Sequence, residues 1–176
     1  MLSRSTYACF AASSSGSNIA LKTVRDSDTL QAARLIFREY AASLAIDLCF
    51  QNFEAELADL AHCYAEPNGL LLLAYVDDAL AGCGAFRPCP DSDYANACEM
   101  KRLYVRPSFR RYGLGRILAQ TLIERATQAG YSTILLDTLD DMEVARELYT
   151  SLGFEEIPPY YYNPIPGAHY LKASLG

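Results

Sequence analysis

The sequence predicts an α/β fold of the α+β kind, with a mixed central sheet of about six to seven strands and helices on both faces. Three observations predict it. Strand-like and helix-like segments follow one another in the order β-α-α-β-β-β-α-β-α-β-β, which is neither an all-parallel alternation nor an all-β pattern. The longest apolar run, residues 70–76, has the length of a buried strand and falls well short of the ~18–20 residues that span a bilayer. The 176 residues, 51% apolar and 20% charged, suit one globular domain with a substantial core.

Residues 1–18, rich in Ser and Ala with Arg4 as their one charge, read as a disordered N-terminal tail. Their acid-poor composition also matches an organelle transit peptide, whereas the apolar stretch 7–12 is too short for a secretory signal. A single domain then covers residues 19–176. Residues 19–25 alternate as a first strand. Asp26, Ser27 and Asp28 offer N-caps to a helix whose apolar stripe is Leu30, Ala33, Phe37, Tyr40 and Leu44. A second, short helix starts near Asn52 with Phe53, Leu57 and Leu60 turned inward. Pro67, Asn68 and Gly69 make a turn. Residues 70–76, the pair Asp77 and Asp78, and residues 79–86 form a hairpin. Gly82 and Gly84 mark close packing or a bulge in its second arm.

A Pro-containing loop leads to a strand over residues 98–105, which Pro107 ends. Residues 113–129 form a long amphipathic helix with Leu114, Ile117, Leu118, Leu122 and Ile123 available to the core, and Gly130 follows as its C′ residue. Residues 133–137 are the next strand. Asp140 or Asp141 caps a helix carrying Val144, Ala145, Leu148 and Leu152, which Gly153 terminates. Residues 154–157 and 169–173 are the last strands. Between them lies a stiff loop, residues 158–164, holding Tyr160, Tyr161 and Tyr162 among Pro158, Pro159 and Pro164.

Net charge is −6, which disfavours a generic nucleic-acid or anionic-membrane surface. Yet Lys101, Arg102, Arg106, Arg110, Arg111 and Arg116 place six of the fifteen basic residues within sixteen positions, with no acid among them. The segment is either a polyanion contact or a solvated basic face. Six cysteines without a C-x-x-C pair fit a reduced, cytoplasmic protein. His62 and His169 are the only histidines, so no metal site is expected.

Arg110, Arg111, Tyr112, Gly113, Leu114 and Gly115 lie between a strand and a helix. A helix start presents unpaired N–H groups and the positive end of its dipole, and a pyrophosphate can accept several of those bonds at once. Glycines permit close approach, and arginines add charge-assisted bonds. A dinucleotide fingerprint needs a third glycine where Leu118 stands, and a Walker A loop needs Gly-Lys-Ser/Thr. Neither is present.

On these residues the chain resembles the GNAT superfamily of N-acetyltransferases. The Arg/Gln-x-x-Gly-x-Gly/Ala pattern follows the strand 98–105 and the Pro107 turn. A second match, Leu148-Tyr149-x-x-Leu152-Gly153-Phe154, lies downstream in the family's order. The resemblance covers nearly everything after the tail. It implies a GNAT-like sheet whose two central parallel strands, 98–105 and 133–137, splay apart around acetyl-CoA, the acyl-donor cosubstrate. It places the backbone of Leu103, Tyr104 and Val105 against the acetyl and pantetheine parts, and the amides from Arg111 to Arg116 on the pyrophosphate. Many family members carry an Asn where this chain has Asp140, Asp141 and Met142, so that contact is not carried over.

Acetyl transfer to an amine, by direct attack through a tetrahedral intermediate, requires a base, an oxyanion donor and an acid for the leaving thiolate. Glu99 stands at the distance before Arg110 seen in family members that use a strand glutamate as base. Its other reading is an ion pair with Lys101 on the same strand face. Tyr149 matches the family's thiolate-protonating tyrosine, with core packing as its alternative. The oxyanion donor implied is a backbone N–H within Leu103 to Val105.

The expected acceptor is a small primary amine or amino acid, bound opposite the coenzyme near the first two helices and the tyrosine loop. The acid-only stretch with Asp47, Glu54, Glu56, Asp59 and Glu66 either attracts a cation or is solvated helix surface. Arg87 is a candidate for a substrate carboxylate. No nucleic-acid or membrane partner is expected, and a homodimer is left open. The rival readings are a non-catalytic acyl-CoA sensor, a nucleotide-dependent enzyme and a nucleic-acid module.

Overall fold

A computed structural model describes residues 8–10, 16–44 and 46–176. Strand β1 (Ala8–Phe10) pairs antiparallel with β2 (Ile19–Thr23), so three residues of the segment read as a tail join the sheet. Of the remainder, residues 16–18 lead into β2, with Asn18 bonded to Asp77, and residues 1–7 and 11–15 lie outside the described residues. Asp26 caps α1 (Ser27–Ser43) through a reciprocal box with Thr29. The buried face of α1 is Ala33, Ile36 and Phe37, while Leu30 and Leu44 sit at its margin.

The expected second helix is broken at Asp59 into α2 (Phe53–Ala58) and α3 (Leu60–Cys63), but Phe53, Leu57 and Leu60 are all buried as predicted. Asp77 and Asp78 adopt left-handed backbone, with φ of 48° and 65°. Such a turn matches strand twist, and it closes the hairpin of β3 (Leu70–Val76) and β4 (Ala79–Pro88).

β5 (Ala97–Val105) runs into a 3₁₀ turn, Pro107–Tyr112, and then α4 (Leu114–Gln128). β6 (Thr133–Leu139), α5 (Glu143–Ser151), β7 (Glu155–Ile157) and β8 (Ala168–Ser174) complete the chain. Gly130 and Gly153 take the positive φ that ends α4 and α5.

Among the described residues eight strands lie in the order β1-β2-β3-β4-β5-β6-β8-β7, antiparallel except for β5 with β6. On one face α4 buries Leu114, Leu118 and Leu122 completely against Phe86, Cys98 and Met100. Each such side chain contributes about 1.5–3 kcal/mol of transfer free energy. The other face is covered by α1, α2 and α3. A third cluster, Ala97, Leu135, Ile157 and Tyr170, lies under Tyr160 and Tyr161 of the 158–167 loop.

Both hairpin glycines meet neighbours that a side chain would strike. A Cβ on Gly82 would lie 2.8 Å from the Tyr104 carbonyl oxygen, and one on Gly84 would lie 2.9 Å from Leu122 Cδ1. The β4–β5 register also shifts between Cys83 and Ala85, so close packing and a bulge coexist.

Two expectations for α5 fail. Its N-cap is Met142, with no side-chain cap from Asp140 or Asp141. Asp140 is drawn instead to His169 and Arg146. Val144, expected in the core stripe, is 81% exposed.

Candidate active site

The parallel pairing of β5 and β6 extends only from Ala97↔Thr133 to Glu99↔Leu135. Beyond Glu99 the two strands separate. The cause lies in β5, where Arg102 has φ 59°, a left-handed conformation that costs a non-Gly residue about 1–3 kcal/mol. It sits in the bulge opposite Gly84 and bends the strand away from its neighbour.

A buried network holds that bulge. Arg102 Nε and one terminal nitrogen donate to the two oxygens of Glu56 at 3.1 and 2.6 Å. The other terminal nitrogen donates to Gln51 Oε1 at 2.7 Å. Tyr64 adds its hydroxyl to Glu56 at 2.5 Å. Burial opposes the charge on Glu56, but the bonds from Arg102 and Tyr64 outweigh it and hold the carboxyl below the usual range.

The parted strands form the walls of a cleft. Met100 to Leu103 line one side and Leu136 to Leu139 the other, with Tyr40 from α1, Gln51, Tyr149 from α5, and Asn163 closing it. Strand alternation divides its chemistry. Met100 and Cys98 face the α4 core, whereas Ala97 packs with Leu135 beneath the tyrosine loop. Glu99 and Lys101 share the Ala97 face, and Asp137 shares that of Leu135.

Tyr149 lines this cleft, is 6% exposed and packs edge-on to Phe154 at 5.6 Å between ring centroids. Its hydroxyl has no hydrogen-bond partner among the described residues. Burial first, then Tyr40 and Asp137, push the phenol well above its ordinary value, so it stays protonated. Glu99 is buried and occupied. Lys101 Nζ lies 3.0 Å from its Oε1 and an Arg87 nitrogen 3.8 Å away, and Glu99 is not among the residues lining the cleft. Arg87, a candidate for a substrate carboxylate, is therefore directed at Glu99.

At the far end the 3₁₀ turn delivers the chain to α4. Gly113 is the N-cap, with φ 69°, and no side chain among the described residues caps the helix. The first turn-closing bond runs from Ile117 N to Gly113 O at 3.2 Å, leaving the amides of Leu114, Gly115 and Arg116 ahead of the helical ladder. A Cβ added at Gly113 would meet no protein atom within 4 Å, and one at Gly115 would make only an ordinary contact with Leu148 at 3.6 Å. Gly113 is thus required by its backbone conformation rather than by crowding within the protein.

Of the three strand residues expected beside the donor, Leu103 lines the cleft. Tyr104 stacks on Tyr40 at 5.3 Å, and the Val105 carbonyl accepts from Arg110 Nε at 3.3 Å.

The basic segment is not one surface. Lys101, Arg102 and Arg106 are neutralised by Glu99, Glu56 and Glu39. Arg110, Arg111 and Arg116 have no ion-pair partner among the described residues. Arg111 donates to the Tyr112 hydroxyl at 3.0 Å and Arg116 to Ser151 Oγ at 2.7 Å. The excess charge therefore gathers at the mouth of α4.

The acid-only stretch is also engaged. Glu54 pairs with Arg38, Glu56 with Arg102, and Glu66 with Arg25 and Arg125. Asp137 was not singled out from the sequence. It lines the cleft and accepts from the Tyr161 hydroxyl at 2.7 Å. Its signal was a charge two residues after Leu135 on the same strand face.

The GNAT acetyltransferase family model matches residues 34–154. An uncharacterised N-acetyltransferase of Schizosaccharomyces pombe is 39% identical, covering 90% of this chain and 96% of its own length. One from Dictyostelium discoideum is 30% identical over 83% and 94% of the respective chains. Among solved structures, an acetyltransferase of Streptococcus agalactiae has the same fold, with a TM-score of 0.72 at 19% identity over 89% of this chain and 98% of its own. A Salmonella typhimurium protein described as a structure with its cofactor acetyl-CoA scores 0.67 at 18% identity, over 90% and 94%. Parted parallel strands and an open helix mouth thus coincide with matches across most of the chain, and the protein belongs to the GNAT family and is an acetyltransferase.

Proposed function

We propose that the protein transfers the acetyl group of acetyl-CoA directly to a primary amine, with the cleft between β5 and β6 as the reaction site. The open amides ahead of the α4 ladder carry this reading. Three uncapped N–H groups, the positive helix end and three arginines without carboxylate partners among the described residues suit a pyrophosphate. The acetyl-CoA described with the Salmonella typhimurium protein supports the donor's identity.

In this reading Leu114, Gly115 and Arg116 bind phosphate oxygens through their amides, with Arg110, Arg111 and Tyr112 beside them. The free edge of β5 at Leu103 offers an N–H to the carbonyl oxygen of the thioester, where charge develops. Tyr149 donates its phenolic proton to the leaving sulfur. Glu99, the base expected from its strand position, is already paired with Lys101 and faces Arg87.

The test is a thiol-release assay with acetyl-CoA over a panel of primary amines, together with titration calorimetry of acetyl-CoA. Tyr149→Phe should lower turnover by about a hundredfold or more with acetyl-CoA affinity unchanged. Gly113→Val, which puts a β-branched residue at φ 69°, should weaken acetyl-CoA binding roughly tenfold or more. Acetyl-CoA binding without thiol release from any amine would favour a sensor over a transferase. Normal affinity in Gly113→Val would remove the pyrophosphate from the α4 mouth.

A further inference from the structure

Three carboxylates stand on the acceptor face of the parted strands: Glu56, Glu99 and Asp137. The first two are committed, Glu56 to Arg102 at 2.6 Å and Glu99 to Lys101 at 3.0 Å. Asp137 has no cation partner among the described residues. Its Oδ2 accepts from the Tyr161 hydroxyl at 2.7 Å, and its Oδ1 has no hydrogen-bond partner there. It lines the cleft on the strand opposite Leu103, past the last paired residue Leu135.

The groups around it are neutral. Tyr40 on α1, Tyr149 on α5, Tyr160 and Tyr161 in the loop, and Tyr170 on β8 all have phenols raised above the usual range, by burial first and by the charge of Asp137 next or among the lesser causes. The cations that share the cleft, Lys101 and Arg102, are the ones already matched.

Asp137 is also held in place. Tyr161, its donor, receives bonds from Gln51 Nε2 at 3.1 Å and Asn163 Nδ2 at 3.3 Å, and Gln51 in turn accepts from Arg102. One chain of bonds thus runs from β6 through the 158–167 loop and the segment before α2 to the bulge of β5. It fixes Oδ2 and leaves Oδ1 to the cleft.

We infer that Asp137 receives the ammonium group of the acceptor and takes its proton, so that the acceptors are amines that arrive as cations. This rests on the acetyl-transfer reading above. An N–H bond of the ammonium breaks and its proton passes to Asp137 Oδ1. The freed lone pair forms the N–C bond to the acetyl carbon, and the C–S bond breaks. The thiolate takes the Tyr149 proton. The nitrogen loses its second proton as the amide forms, which restores Tyr149, and Asp137 returns the first to water. The sum is one ammonium and one thioester giving one amide, one thiol and one proton.

The variant Asp137→Asn keeps the volume and an oxygen for Tyr161, so the loop remains bonded. Acetyl-CoA affinity is measured by calorimetry, and kcat/KM is followed against pH with phenethylamine, leucinamide and spermidine. For every amine the wild type accepts, kcat/KM of Asp137→Asn should fall about a hundredfold or more near pH 7, with the acetyl-CoA Kd within about twofold. The deficit should shrink about tenfold per pH unit for as long as pH stays below the amine's own pKa, because the free-amine fraction grows by that factor. Asp137→Glu should restore part of the rate. A value for Asp137→Asn within about threefold of wild type near pH 7, or a deficit that does not change with pH, would overturn the assignment. The parent reading fails differently, by a wild type that binds no acetyl-CoA or releases no thiol with any amine.

Discussion

Lys101 Nζ lies 3.0 Å from Glu99 Oε1, two residues apart on one face of β5, with side chains only 4% and 7% exposed. A buried pair of this kind adds little net stability, because desolvation of both ions offsets their attraction, but losing one partner strands the other. The two residues are not equivalent. Without Lys101, Glu99 keeps Arg87 at 3.8 Å, whereas without Glu99 the Lys101 ammonium has no bonded carboxylate among the described residues.

Glu99→Gln should therefore cost about 3–5 kcal/mol of unfolding free energy and Lys101→Met distinctly less. Urea denaturation of the two variants measures both. Equal losses would show that Arg87 gives Glu99 no effective second partner. The rate profile is a separate matter: a limb displaced to higher pH in Glu99→Gln would return the base to Glu99.

This pair was among the readings the sequence allowed, because residues two apart on a strand must share a face. Local rules of that kind also located the Asp77–Asp78 hairpin, α4 with its Gly130 terminator, and the Gly113 entry to the helix. They failed where a partner lies far along the chain. Arg102 meets Glu56 across 46 positions, and Tyr161 meets Asp137 across 24. Neither spacing has a periodic signature, so three matched cations in β5 and after it looked like half of one basic surface. Asp140 likewise has the residue type and position of a helix cap, but His169, 29 residues later, competes successfully for its carboxylate. The parting of the strands was legible only through the family resemblance, since its physical cause is the left-handed backbone of Arg102.

That backbone gives the next prediction. Arg102→Lys retains the charge but not the fork that binds both Glu56 oxygens and Gln51 together. The strained φ then loses its restraint, and the bulge that turns Leu103 towards the cleft relaxes. Stability should fall by about 1–3 kcal/mol, and kcat/KM should fall about tenfold or more. Urea midpoints and thiol release measure the two effects. Full activity in a destabilised Arg102→Lys would separate the bulge from catalysis.

His169 links the end of β6 to the sheet edge, with Nδ1 2.8 Å from Glu156 and Nε2 bonded to Asp140. Bonds to Asp140 first, then to Glu156, raise its imidazole above the ordinary value, and Asp140 is correspondingly lowered. A raised folded-state value means that folding favours the imidazolium. This contribution is fully present below the unfolded value of about 6.5 and is lost as pH rises through the higher folded one. At the acid end the same bridge goes as Asp140 protonates below its own lowered value. His169→Gln should therefore lower Tm most between roughly pH 5 and 6.5 and progressively less as pH climbs beyond the folded imidazole value. Scanning calorimetry of both proteins across that range measures the gap. A gap that widens with rising pH would mean that His169 folds as the neutral base, bonded by one of its two carboxylates and not by both.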